Sequence, residues 1–227
     1  MNNFFATPTD VWGDDAVMLT TIGICIIVVA ILALIGIALI IYKRKNNAST
    51  KITTRQLVFS AMAIALAMVT SMVKLMEMPM GGSVTLLSML FIVLIAYWYG
   101  PVAGITTGMA YGLLQFVLEP IFYTLPQMLV DYPLAFGALG LAGFLHTKKF
   151  GLQIGYVVGV LGRFVFAFLS GVLFFASYAP EGMNPAVYST LYNGSYLLAE
   201  AVITLIIISL PPVHKALKTV KKLTMGE

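Results

Sequence analysis

Charge is what this sequence has least of: Asp, Glu, Lys and Arg make up 10% of its 227 residues, against 60% apolar. Soluble domains carry about 25% charged and about 45–50% apolar residues, so water could not solvate the surface that such a composition presents. Cysteine is nearly missing as well. The single Cys25 excludes an intrachain disulfide and any cysteine-based metal site. The two histidines, His146 and His214, both fall in basic clusters, and the chain has no H-E-x-x-H, no Gly-Lys-Ser/Thr phosphate loop and no Gly-x-Ser-x-Gly elbow. The chain therefore reads as neither an ATPase nor any other enzyme, with no cofactor and no metal.

What is present is a series of long apolar runs separated by short charged clusters, as expected of an all-α integral membrane protein, because ionised side chains are costly at the bilayer centre. The first run, Ala16 to Tyr42, carries no charge and is followed by Lys43-Arg44-Lys45. It is too long for the apolar region of a secretory signal, and its basic cluster follows rather than precedes it, so it reads as a retained anchor with the N-terminus outside. Further spans are expected near 55–75, 83–99, 101–118, 126–146, 152–178 and 186–211, with Gly100-Pro101 as a tight turn. That makes seven helices and a cytoplasmic C-terminus.

This topology places Lys51, Arg55, His146, Lys148, Lys149, His214, Lys215, Lys218, Lys221 and Lys222 on the cytoplasmic side and Glu77, Glu119 and Glu181 outside. The positive-inside bias accounts for the net charge of +4, and basic residues so divided among membrane-proximal loops argue against a nucleic-acid partner. Residues 1–54 divide into an outer tail, the first helix and a polar linker over 43–54, while 55–227 hold a six-helix membrane domain.

Four polar groups lie inside the expected spans: Asp131, Arg163, Asn193 and Glu200. Each needs a partner or a water-filled cavity there. Asp131, followed by Tyr132-Pro133, sits about one turn into its helix, where a carboxylate either faces a cavity and suits a cationic solute or simply complements the helix dipole. Arg163 and Glu200 lie roughly 16 Å and roughly 15 Å from the inner ends of their helices, at one level, which predicts an ion pair that organises packing. Phe175, Tyr178, Tyr188, Tyr192 and Asn193 converge near the outer ends of the last two helices, as pocket walls or as an interfacial aromatic belt. In the first bundle helix Ala61, Ala63, Ala65 and Ala67 form two overlapping small-xxx-small patterns, read as a docking stripe for another helix.

Residues 55–220 resemble the substrate-binding S-components of energy-coupling factor (ECF) vitamin transporters, in particular the thiamine-specific ones. The resemblance rests on Ala61 to Ala65, Gly81-Gly82-Ser83-Val84-Thr85-Leu86, Tyr111-Gly112-Leu113-Leu114-Gln115, Asp131-Tyr132-Pro133-Leu134-Ala135-Phe136 and Phe168-Leu169-Ser170-Gly171. It extends through Tyr178-Ala179-Pro180-Glu181-Gly182-Met183-Asn184-Pro185 to Tyr188 and Tyr192-Asn193-Gly194. It implies a six-helix bundle that binds thiamine near the outer face and docks through the alanine stripe on an energising module, a membrane scaffold subunit with two ATPases. It also implies that Asp131 and Tyr132 form an acidic-aromatic pair, with Phe175, Tyr188 and Asn193 as stacking and polar contacts. The chain departs from the family pattern at Ala167, where a histidine is expected, and at Phe175, where a tryptophan is expected. The first of these removes a polar partner and the second leaves a weaker ring quadrupole, which opens the site to another small heteroaromatic metabolite. Outside this family the same charges would fit a proton-coupled transporter using Asp131, Arg163 and Glu200, and a membrane assembly protein with no solute would fit the bundle alone.

Overall fold

The computed structural model describes residues 53–78 and 82–225, together with Ala6–Pro8, Val17–Leu19, Val29, Gly36 and Ile40. Near the N-terminus, β1 (Ala6–Pro8) pairs antiparallel with β2 (Val17–Leu19). The expected first span is thus corrected at its start, where Val17–Leu19 is a strand; Val29, Gly36 and Ile40 are helical, and the rest of that span and its linker lie outside the described residues. The count of seven spans depends on that segment.

From Thr53 onward the chain is a helical bundle. Its helices are α1 (Thr54–Ser71), α2 (Ser88–Tyr99), α3 (Pro101–Leu118), the composite α4 (Leu125–Leu145), α5 (Gly151–Phe174) and α6 (Pro185–Ser209). A final amphipathic helix, α7, runs over Pro211–Met225. All but α2 and α7 are long and apolar enough to cross a bilayer. Thr53 caps α1 by accepting from Gln56 N–H at 3.1 Å, and Asn184 caps α6 by accepting from Ala186 N–H at 2.8 Å.

Two expected helix ends move. Residues 72–78 and 82–87 do not extend the flanking helices: β3 (Lys74–Glu77) and β4 (Ser83–Thr85) pair as an antiparallel hairpin with a bulge between Lys74 and Met76. The charges at Lys74 and Glu77 and the Gly81-Gly82 pair favour a turn over a continuous helix. α5 likewise stops at Phe174, and a short 3₁₀ turn, Ala176–Tyr178, follows it. Hairpin and 3₁₀ turn share one end of the bundle, and α7 lies across the other. There Leu217 and Val220 pack on the core, Tyr99 OH donates to the Thr224 carbonyl at 3.0 Å, and Lys221 Nζ sits 4.1 Å from the Tyr97 ring centre.

α2 is the centre of the bundle, with nine of its twelve residues buried on all faces, as expected for a helix apolar all round. Twelve residues rise only about 18 Å, short of a hydrocarbon core about 30 Å thick, so one end of α2 stops inside the bilayer. That end is its N-terminus. The cap residue Leu87 is left-handed, with φ 65°, and offers no side-chain cap. Glu200 supplies the cap from α6: Oε2 accepts from Thr85 N at 3.1 Å and Thr85 Oγ1 at 2.7 Å, and Oε1 accepts from Ser88 Oγ at 3.2 Å and Met89 N at 3.3 Å.

α3 and α4 approach closely because their facing residues lack side chains. A Cβ on Gly104 would strike Ala96 Cβ and Gly140 Cα, and one on Gly108 or Gly112 would strike the Phe136 or Tyr132 carbonyl. α4 itself is irregular, changing from α-helix to a π turn at Val130–Leu134 and to a 3₁₀ helix at Ala138–Leu145. Pro133, inside the π turn, has no N–H to continue a regular ladder.

The alanine stripe divides in two. Residues two apart on a helix point about 200° apart, so Ala61 and Ala65 share one face and Ala63 and Ala67 the opposite one. Ala63 and Ala67 are buried in the core, and only Ala61 and Ala65 face outward, which corrects the expectation that all four form one docking surface.

Replacing Glu200 by alanine leaves the Thr85 and Met89 N–H groups unpaired in the membrane, and the unfolding midpoint in detergent is expected to fall by about 6–12 °C, with Glu200→Gln losing about half as much. A Glu200→Ala protein melting with the wild type would show that α2 needs no cap from α6.

Candidate functional site

A cavity of about 470 Å³ opens between the hairpin end of the bundle and the level of Glu200. That volume is in the usual range for a small-molecule site. Asp131, Tyr132, Ala167, Phe175, Tyr188 and Asn193, all expected in the site from the sequence, line it together. The π turn delivers Asp131: the wider turn carries the half-buried carboxylate and the buried Tyr132 ring to the cavity side of α4.

Asp131 is held by a side chain that sequence reasoning missed. Gln127, fully buried one turn earlier, donates from Nε2 to Asp131 Oδ2 at 2.6 Å and to the Ile121 carbonyl at 3.1 Å, while its Oε1 accepts from Tyr123 N–H at 3.0 Å. Its spacing of four residues from Asp131 is the signal that could have revealed it. Tyr132 works in a similar way. Its hydroxyl donates to the Glu119 carbonyl at 2.8 Å and accepts from Ile121 N–H at 2.9 Å, so its ring is a wall and its oxygen fastens the 119–121 loop.

The aromatic groups form two sets. Tyr188 stacks on Tyr192 with ring centres 5.8 Å apart, and Tyr192 meets Tyr196 edge-on at 5.9 Å. Phe175 meets Tyr123 edge-on at 5.3 Å, and the Tyr123 and Tyr178 hydroxyls lie 2.7 Å apart at the mouth. Gly82 N–H donates to Tyr192 OH at 3.0 Å, tying the hairpin to α6. A second tie is ionic: Lys74 Nζ lies 2.8 Å from Glu119 and 3.4 Å from Glu77, and the hydrogen bond to Glu119 holds its ammonium above the usual lysine range. Lys74 thus sits, against the charge bias of that end, between two carboxylates.

Two expected roles change. Asn193 Nδ2 donates to the Ala167 carbonyl at 3.2 Å and to the Ser189 carbonyl and hydroxyl at 3.1 Å each, and its Oδ1 accepts from Tyr196 OH at 2.9 Å. The amide clamps α6 to α5, with both ends engaged inside the protein. Arg163 and Glu200 both line the cavity but are not joined: among the described residues the ion pairs are those of Lys74. The Glu200 carboxylate is occupied at the head of α2, and the Arg163 guanidinium stacks 4.1 Å from the centre of the Phe136 ring.

The profile of the family described as Thiamine transporter protein (Thia_YuaJ) matches residues 57–220. The chain belongs to the thiamine transporter family. The thiamine transporter ThiT of Bacillus subtilis (strain 168) is 35% identical over 167 residues, covering 67% of this chain and 85% of that protein. ThiT of Lacticaseibacillus paracasei is 28% identical over 134 residues, covering 52% of this chain and 67% of that one. Among solved structures, ThiT from Listeria monocytogenes superposes with a TM-score of 0.62 at 26% identity, covering 74% of this chain and 96% of that one. Composition led to the expectation of a multi-pass helical membrane protein, and the motifs over 55–220 to the resemblance to thiamine-specific transporters; the family match agrees with both.

In this family member Gln127 orients the carboxylate from one turn earlier, at 2.6 Å. Gln127→Ala should lower solute affinity by about 10-fold, one hydrogen bond to a charged group, in a calorimetric titration. Unchanged affinity would mean that Asp131 needs no help in keeping its place.

Proposed function

We propose that this chain is the solute-capturing membrane subunit of an ATP-driven ECF-type importer and that it takes up thiamine from outside the cell through the hairpin end of the bundle. The observation that carries this reading is the half-buried Asp131 carboxylate, fixed by Gln127 in a cavity walled by Tyr132, Phe175 and Tyr188. A thiazolium ring has delocalised positive charge, which a carboxylate attracts across a low-dielectric gap and which tyrosine and phenylalanine faces stabilise further. The Bacillus subtilis and Lacticaseibacillus paracasei relatives are each named thiamine transporter. No chemistry is done on the solute. The charge distribution supports the orientation, since Arg55, Lys148, Lys149 and the lysines of α7 all fall at the end opposite the hairpin, the end the positive-inside bias makes cytoplasmic; an N-terminus outside follows in this proposal from reading the first apolar run as a further span.

Energy is supplied in this proposal by a partner module, a membrane scaffold subunit with two ATPases, met by the outward face of α1 at Ala61 and Ala65. Small residues there let another helix approach closely. The proton-coupled alternative is weaker because Glu200 is committed to four hydrogen bonds at the α2 terminus. Ala167 and Phe175 bear on solute choice: Ala167 adds only a methyl group to the wall, so ring stacking and Asp131 carry the recognition.

Purified protein should bind thiamine saturably, and Asp131→Asn should weaken binding by about 100-fold through loss of the charge, as read by calorimetry. Full binding by that variant, or preference for a different heteroaromatic solute in a thermal-shift panel, would overturn the thiamine assignment. Ala61→Leu with Ala65→Leu should leave binding intact and abolish ATP-driven uptake in cells; uptake at the wild-type rate would remove this face from partner contact.

A further inference from the structure

Two carboxylates that face one cavity compete for a single positive charge, so a cationic solute needs something to decide between them. Among the described residues five charged side chains line the cavity: Lys74, Glu119, Asp131, Arg163 and Glu200. Lys74 and Glu119 neutralise each other at the mouth. Further in stand two acids, Asp131 and Glu200, and one base, Arg163.

Helix geometry sets their depths. Arg163, Ala167 and Ser170 recur at i, i+4 and i+7 along one face of α5, and Asn193, Tyr196 and Glu200 at i, i+3 and i+7 along one face of α6, all six on the cavity wall. Ser170 lies beside the Asp131 carboxylate, so Arg163, seven residues back along α5, is roughly 10 Å deeper than Asp131. Asn193 donates to the Ala167 carbonyl, so Glu200, seven residues on in the antiparallel α6, is roughly 10 Å deeper than Ala167 and within about one turn of Arg163. Tyr196, between the two levels, is within electrostatic reach of all three charges. One acid thus stands at the outer level, and the other shares the floor with the base. An elongated solute with its charge on one of two rings could enter such a cavity either way round.

The guanidinium is held on the floor by the Phe136 ring, 4.1 Å away, which in turn meets Tyr111 edge-on at 4.9 Å. Its charge is permanent. A direct Arg163–Glu200 contact would draw the carboxylate from the head of α2, where it accepts four hydrogen bonds. Standing off, the base offsets the field of that acid and leaves the cap in place. At an effective dielectric constant of about 20, a unit charge about 10 Å away changes the affinity for an ion by about 10-fold.

We propose that Arg163 is a positioning residue of the solute site: by offsetting Glu200 it makes the floor unfavourable for positive charge and turns a cationic solute with its charged ring toward Asp131. It acts through the field on the floor and leaves recognition of the charge to Asp131. The inference deepens the solute-capture reading proposed above and rests on it.

The test measures how much thiamine binding depends on Asp131 when the charge at position 163 is changed. Arg163 is replaced by lysine, which keeps the charge, and by methionine and glutamine, which remove it; should the methionine protein fail to fold, the glutamine protein carries the comparison. Each is titrated with thiamine by calorimetry, with Asp131 intact and with Asp131→Asn. The Asp131→Asn substitution should weaken binding by about 100-fold in the wild type and in Arg163→Lys, but by about 10-fold or less in Arg163→Met and Arg163→Gln, where the floor offers the cation a second acid. Adding Glu200→Gln to Arg163→Met or Arg163→Gln should restore most of the dependence on Asp131, because the competing charge is gone. A merely structural role for Arg163 would not move this ratio. An unchanged loss of about 100-fold in the uncharged variants, a reduced loss in Arg163→Lys as well, or no restoration by Glu200→Gln would each overturn the proposal. The two readings fail differently: a wild type that does not bind thiamine sinks solute capture and this inference together, whereas a wild type that binds, with the same dependence on Asp131 in every background, sinks this inference alone.

Discussion

Glu200 joins the head of α2 to the middle of α6, and the site depends on that join. A helix that ends inside a bilayer has N–H groups that water cannot satisfy, and each one left bare opposes the fold. The Glu200 carboxylate meets the backbone of Thr85 and Met89 and the hydroxyls of Thr85 and Ser88 at once, with its negative charge against the positive end of the helix dipole. Because α2 can end there, the chain has room above it for a hairpin and a cavity in place of another two turns of helix. The acid that forms the floor of the site is therefore also the reason that the site exists.

Above that floor the polar groups are held by one another. Gln127 holds Asp131, the Tyr132 hydroxyl holds the 119–121 loop, Asn193 clamps α6 to α5, and Gly82 and Lys74 fasten the hairpin to Tyr192 and Glu119. Networks of this kind are stronger in a low-dielectric interior than on a wet surface, and they fix side chains in one arrangement before a solute arrives. Close α3–α4 packing through Gly104, Gly108 and Gly112 contributes rigidity from the apolar side. The π turn at Val130–Leu134 shows the local consequence, since it departs from regular helix where the acidic and aromatic pair must face inward.

Much of the site was legible in the chain. Asp131, Tyr132, Phe175 and Tyr188 stand out because a carboxylate or a cluster of rings is conspicuous in an apolar helix, and all four line one cavity. Gln127, Ser170 and Ser189 were not distinguished as site groups, since small hydroxyls and amides are common in membrane helices and nothing local separates a cavity wall from a lipid face. Arg163 and Glu200 were assigned to each other from equal depth alone. Depth is one coordinate, and the rotation of each helix about its axis decides the partner; it turns Glu200 toward α2 and Arg163 toward Phe136. The alanine stripe was over-read for a related reason: its two halves lie on opposite faces, a consequence of 100° per residue that a count of small residues conceals.

Membrane residence, the helices from residue 54 onward and the accumulation of cations at one end were determined by the sequence alone. Each is a sum of transfer free energies taken residue by residue, which needs no knowledge of neighbours. The hairpin over the cavity, the cap on α2 and the clamp at Asn193 were decided only in the tertiary structure. Each depends on where an atom from a distant part of the chain comes to rest, and helix crossing and rotation, set by packing across the whole bundle, determine that place.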